Sequence, residues 1–314
     1  MKRHIVVPLK LLLLLTAKYL HLFSWLPRNL RIIMYHGVGC SDFPEESFEL
    51  QMRFISKHFE SYWVSEAVSL LNGDPNYSAK KPPIILTFDD GLLNNATTAA
   101  PILDKYGLKA TFFVCSDLID GKSMLWNHEL RCRLQLLPSD KVYEISNGRC
   151  PDNSEESVKT FSELVKRWPG DEVSDLMFLL RKDCPQPNYD EKMLQDYLIM
   201  SVEDICRLPE CVEIGSHTKS HPILDTLDEE EIENQVVNSK KDLSRMLGKN
   251  VGVFCYPNGM SNSFCNQLVA DNYAVAVTTD EGFAADSDNF SLLKRIPPAE
   301  KLHDFVWRLI RPIG

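Results

Sequence analysis

A chain of 314 residues, 44% hydrophobic and 25% charged, is long enough to bury a sizeable core in one large α/β domain or two small ones, and its composition excludes a disordered chain. Its 34 basic against 44 acidic residues leave a formal charge of −10, a field that no basic face easily outweighs, so nucleic acid is excluded as the main partner and a neutral or cationic substrate is favoured. The nine cysteines (Cys40, Cys115, Cys132, Cys150, Cys184, Cys206, Cys211, Cys255 and Cys265) are odd in number, form no CxxC pair and sit partly inside predicted strands and helices. They read as reduced thiols, the state expected in a cytoplasmic setting.

The first 27 residues differ in kind. A basic start (Lys2, Arg3, His4) precedes an apolar run that Lys10 interrupts, with no small-x-small cleavage site after it. A helix opening at Pro8 and stopping before Pro27 would be about 28 Å long, short for a full span. On it Lys10, Lys18 and His21 fall within an arc of about 80°, opposite a broad face of Leu, Phe and Trp, the pattern of a helix lying in the bilayer interface. An uncleaved signal anchor and an ordinary packed helix are the competing readings. We therefore expect two regions, a membrane-associated helix in 1–28 and a catalytic domain in 29–314.

Beyond it, "LRIIMYHGV" (30–38) and "PPIILTF" (82–88) read as buried strands with polar and helical patterns between them. A helix over 92–106 ended by Gly107 and the strand "KATFFVC" (109–115) follow. From about 120 to 205 the chain is mostly helical and polar, an insertion on one side of the fold. Strand character returns at "CVEIGSH" (211–217), and a helix follows in which Asp228 and Glu231 are expected to form a capping box and Gly248 ends the pattern. Strands over 251–256, 273–279 and 291–296 alternate with helices over 261–271 and 299–310. Strand-then-helix order implies a mainly parallel sheet covered on its outside, either a closed barrel or a doubly wound sheet.

In such folds reactive groups collect where strands end. Asp89 and Asp90, in "ILTFDDG", are two adjacent anions at one strand end, and something must compensate their repulsion: a cation, a shared proton or solvent. His217 and His221, in "IGSHTKSHP", follow another strand, where Pro222 forbids a helix and demands a tight loop. Two imidazoles and one carboxylate suit zinc or another divalent transition ion with open positions for water and substrate. One aspartate would bind the ion and its neighbour take a proton from the bound water.

"TFDDG", "SHTKSHP" and "FCYPNG" (254–259), in this order and spacing, resemble the polysaccharide deacetylases, the NodB-like family of carbohydrate esterases (family four), over roughly residues 30–297. "IIMYHGV" and "LLKRIPP" are similar to that family's first and last barrel strands. The resemblance implies a distorted (β/α) barrel of about seven parallel strands that binds one divalent ion, most simply zinc, and removes N-acetyl groups from a hexosamine. Carried over, Asp89 is the general base, Asp90, His217 and His221 hold the metal, the backbone N–H of Tyr256 faces the oxyanion, and Pro257 and Gly259 line the substrate. Where many relatives carry an arginine that pairs with the catalytic aspartate, this chain has Cys255, and Arg295 is the candidate substitute. The family's late Leu-x-His is absent, since Leu302 and His303 are adjacent in "KLHDF", so His303 receives no role. His36 is a candidate for a site-wall or acid function, with a hydrogen-bonded buried histidine as its alternative, whereas His58 and His128 have no supporting context. The expected protein is a deacetylase of an amino-sugar glycan or lipid-linked amino sugar, held by residues 8–26 on the cytoplasmic face of the inner membrane or, alternatively, facing the periplasm or exterior. A deformylase or deacetylase of a small amide, and a catalytically weak glycan-binding protein, are the other functions the same residues allow.

Overall fold

The computed structural model describes residues 29–311 apart from 42, 78–80, 185–186 and 287, so the interfacial helix expected over 8–26 lies outside the described residues. Eight parallel strands run in chain order: β1 (Arg31–Tyr35), β2 (Glu60–Tyr62), β3 (Pro83–Phe88), β4 (Ala110–Val114), β5 (Val212–Ser216), β6 (Val253–Cys255), β7 (Val275–Glu281) and β8 (Leu293–Arg295). Seven of them follow one another side by side as β1-β3-β4-β5-β6-β7-β8, while β2 pairs the first half of β3 and leaves the second half to β4. The Met34 N–H donates to the Ile296 carbonyl (3.0 Å) and the Ile296 N–H to that of Ile32 (2.7 Å), which draws the two ends together into a nearly closed barrel. Of the two architectures open to the sequence, the barrel is the one formed.

Strand alternation sorts the residues into two cores. Ile32, Ile85, Phe113, Val253, Cys255, Val277 and Leu293 cluster inside the barrel. Their neighbours Ile33, Ile84, Leu86, Phe112 and Val114 meet Phe48, Met52, Leu103 and Phe305 of the covering helices. The interior leaves no spare volume at β5, where a Cβ on Gly215 would stand 2.5 Å from the Phe113 ring and 2.9 Å from Val253. Because all strands are parallel, their C-terminal ends share one rim, and the DDG and SHTKSHP loops leave from it.

Helices occupy much of 126–206, and a small core of their own, including Leu130, Leu134, Val158, Phe161, Leu176 and Leu180, holds several of them together. Element boundaries moved by a few residues from those expected. The helix expected over 92–106 opens with a wide π-type turn at Asn95–Ala99 before Ala100–Tyr106, and Gly107 closes it in the left-handed region at φ 63°. Half of the expected capping box forms: Asp228 accepts from the Glu231 N–H at 2.8 Å, but the Glu231 carboxylate accepts from the Gln235 side chain instead. All nine cysteines lie in the described residues and none pairs with another. Among the described residues no helix is long and apolar enough to cross a membrane.

Candidate active site

β3 delivers the two acids to the rim in different directions. Ile85, Thr87 and Asp89 alternate toward the barrel interior, so Asp89 sits over the mouth, with its N–H bonded to the Tyr35 carbonyl at 3.0 Å. Asp90 leaves the strand with φ 73°, a left-handed conformation that a non-glycine residue adopts at an energetic penalty, and this swings its carboxylate away from that of its neighbour. Gly91 continues the turn at φ 66°. Both side chains are buried, at 2% and 6% exposure, so solvent does not compensate them.

Asp89 is compensated from within. The fully buried Arg295, from β8, grips it bidentately, Nη1 to Oδ1 at 2.7 Å and Nη2 to Oδ2 at 2.6 Å. The remaining N–H groups donate to the Thr278 carbonyl (2.6 Å), Thr87 Oγ1 (3.0 Å) and Cys255 Sγ (3.3 Å), so every donor of the fork is satisfied. The guanidinium therefore reaches Asp89 from β8, and Cys255, where the resemblance led to the expectation of an arginine, accepts a bond from it. Burial alone would push the Asp89 carboxyl up, but the charge and hydrogen bonds of Arg295 override it and hold the group below the usual carboxylate range.

Asp90 faces the imidazoles instead. Its Oδ1 lies 3.5 Å from His217 Nε2 and 3.4 Å from His221 Nε2, and the three residues form a buried group able to hold a cation. Donors bonded at about 2.0–2.2 Å with tetrahedral angles around one ion stand about 3.3–3.6 Å apart, so this spacing fits a small divalent transition ion. His217 Nδ1 pairs with the Cys255 carbonyl at 2.7 Å, which places the ring proton there and turns the Nε2 lone pair toward Asp90. Burial, then the charge of the neighbouring His217, pushes His221 down to about 3, the neutral form that ligates. Burial also opposes charge on His217, but Cys255 and Asp90 override it and hold that imidazole above its ordinary value, so a cation arriving at Nε2 would displace its proton. The histidine loop carries further left-handed residues, Thr218 (φ 70°) and His221 (φ 61°), braced by the bond from the His221 N–H to Thr218 Oγ1 at 3.0 Å. Backbone strain is thus concentrated where the three donors meet. A second group, Asp89, His217 and Cys255, also converges within 4.8 Å, but the Arg295 guanidinium already bonds both Asp89 and Cys255 and supplies the positive charge there.

The other expected residues divide. His36 is at the rim and half exposed, its Nε2 4.0 Å from Asp89 Oδ2, so the buried-histidine alternative does not hold. The Tyr256 N–H, expected to face an oxyanion, donates to the Val277 carbonyl at 3.2 Å: β7 has taken that donor into the sheet, and the expectation is corrected. Its ring packs outward against Phe254. Pro257 and Gly259 lie in the turn after β6. His303 sits in the last helix beside Asp304. His58 stacks on Phe54, 4.6 Å between ring centroids. His128, which the sequence left without context, lies two residues after Trp126, whose indole N–H bonds the His221 carbonyl, and its imidazole is within electrostatic reach of Asp90, His36 and His221.

A family model described as polysaccharide deacetylase matches residues 76–145 and 205–276, and the gap between the matched stretches falls within the helical insertion. A Bacillus subtilis protein, YxkH, provisionally named a polysaccharide deacetylase, is 29% identical over 146 residues, which cover 44% of this chain and 52% of that protein; the chain thus spans about half the length of the relative it matches. Among solved structures, the Streptococcus pyogenes deacetylase PplD in complex with acetate superposes with a TM-score of 0.57 at 19% identity, covering 90% of this chain and 99% of that one. IcaB from Ammonifex degensii gives 0.56 at 16% identity, covering 89% and 97%. These likenesses carry the fold, and the matched stretches hold the DDG loop, the histidine loop and the turn after β6. Over the two stretches that carry both site loops, the chain is similar to the polysaccharide deacetylase family.

Proposed function

We propose that this protein hydrolyses the N-acetyl group of an amino-sugar glycan or lipid-linked amino sugar, with one divalent ion held by Asp90, His217 and His221. The observation that carries the reading is the division of labour between adjacent acids: one is neutralised by Arg295, the other aims at two imidazole nitrogens with tetrahedral spacing. Two nitrogens, one oxygen and that spacing favour zinc. An ion bound there would polarise the acyl carbonyl and acidify a water.

The chain's own residues supply the rest. Asp89, kept ionised by Arg295, accepts the proton that the attacking water loses as the new C–O bond forms. Its remaining lone pairs are open to that water, since Arg295 occupies one direction on each oxygen. The carbon–nitrogen bond breaks, the departing amine takes a proton from His36, and acetate leaves. No step falls to Tyr256. The Arg295–Asp89 pair supports the enzyme reading over that of a weak glycan-binding protein, which drew on the missing arginine and the unplaced general acid. Residues 8–26 would hold the enzyme beside glycolipid substrates on the cytoplasmic membrane face; sedimentation with anionic vesicles, lost when those residues are deleted, tests that part.

The function is tested by incubating zinc-loaded protein with a panel of N-acylated sugars, free and lipid-linked, and assaying released acid. Acetate release that a chelator abolishes and zinc restores is expected, with Asp89→Asn lowering turnover by about 10²–10⁴-fold. Release from small N-formyl amides alone would favour the small-amide hydrolase. Bound metal and sugar without any released acid would overturn the enzyme reading.

A further inference from the structure

The helical insertion touches both halves of the site. At its start, in the helix Trp126–Leu136, the Trp126 indole N–H donates to the His221 carbonyl at 3.0 Å. At its far end, after the helix Glu191–Tyr197, the Leu93 N–H donates to the Leu198 carbonyl (2.7 Å) and the Met200 N–H to the Gly91 carbonyl (2.9 Å). One attachment holds the histidine loop, the other the aspartate loop. His128 lies between them, its ring packed on Tyr197 with centroids 4.6 Å apart and planes at 32°. The stack fixes the ring's orientation from one attachment while the helix fixes its position from the other.

That ring carries an unexplained feature. His128 Nδ1 is buried and has no hydrogen-bond partner, as is Oδ1 of the adjacent Asn127, whose side chain belongs to the same turn. Buried polar atoms of folded proteins are nearly always paired, so an orphan two residues from Trp126, itself bonded to the His221 carbonyl, calls for a partner. Burial pushes the imidazole down to about 4, so at neutral pH it is uncharged, with one nitrogen donating and the other accepting. A neutral imidazole is a poor source of protons there and a good match for a hydroxyl, which both donates and accepts. The water-activating chemistry proposed for Asp89 and the metal ligands does not require it.

We infer that His128, supplied by the insertion, binds substrate by hydrogen-bonding a hydroxyl of the sugar that carries the acyl group. This rests on the proposed deacetylase function and assigns the insertion a role in it: one wall of the substrate site, set by the same contacts that brace the two loops. Specificity between amino sugars then depends on an element that lies outside the barrel strands.

The test uses the zinc-loaded full-length chain as wild type, His128→Ala and His128→Gln, with N-acetylglucosamine presented free, as a tetramer and lipid-linked, reading acetate release, KM, kcat and zinc per chain. On the form that the wild type cleaves fastest, His128→Ala should raise KM at least tenfold with a smaller fall in kcat and one zinc retained, and His128→Gln, which keeps a donor and an acceptor, should recover most of the loss. Wild-type KM in His128→Ala, zinc lost in parallel with activity, or a glutamine variant no better than alanine would each overturn the inference. If His128→Ala fails to fold, the comparison of His128→Gln with His128→Leu decides on the same readouts. A wild type that releases no acetate from any form overturns the deacetylase reading itself, and this inference with it, which the variant results alone cannot do.

Discussion

The Asp89 and Asp90 halves of the site begin one peptide bond apart and solve the same electrostatic problem in opposite ways. On the Asp89 side the chain provides the cation, and all five N–H groups of Arg295 are used by four partner residues. On the Asp90 side it provides only donors, three of them converging through a backbone that is left-handed at Asp90 and His221. A buried anion without a partner is costly, so the finished half can be dry and rigid, while the unfinished half makes sense as a place to receive an ion. The comparison teaches that a pair of adjacent carboxylates does not have to share its compensation.

The largest effect should come from breaking the finished half. Arg295→Met leaves Asp89 buried and unpaired, so denaturant unfolding should show a loss of about 3–5 kcal/mol, with a substantial part recovered in Arg295→Met/Asp89→Asn because the stranded charge is then gone. Equal losses in the single and double variants would mean that the ion pair is not what the fold depends on.

The same pair can be read through pH. Asp89 has its folded pKa held below the unfolded value of about 3.9, so its contribution to stability is fully present above that value and is lost as pH falls through the lower, folded one. Wild type should therefore lose stability on acidification below about pH 4 more steeply than Arg295→Met/Asp89→Asn. Parallel acid profiles would contradict the assignment.

The smallest effect should come from the brace on the other half. Trp126→Phe removes the indole bond to the His221 carbonyl but keeps most of the packing, and should cost about 1 kcal/mol of stability. Its zinc affinity should fall by less than the loss caused by removing a ligand, because the backbone of the histidine loop is also held by Thr218.

Part of this was legible beforehand. Strand-helix alternation and loop-forming Pro222 brought Asp90, His217 and His221 to one rim on paper, since parallel strands have only one C-terminal end. Arg295 could be nominated but not aimed: β7 and β8 pair with a register shift between Val277 and Glu281, and the direction of a side chain after such an irregularity is not readable from a strand's composition. Tyr256 failed for a related reason, because whether an amide is free depends on what the neighbouring strand, here β7, offers it. The three residues of β2 are too few for periodicity to declare. His128 gave no signal because its setting is wholly tertiary: Tyr197 and the site loops are far away in sequence.

The central claim is that the two acids have separate cations, and zinc titration of Asp89→Asn and Asp90→Asn, side by side with wild type, tests it most directly. Asp89→Asn should retain one zinc per chain at near wild-type affinity, whereas Asp90→Asn should lose it by at least a hundredfold. Equal zinc loss in both variants, or loss confined to Asp89→Asn, would contradict the account.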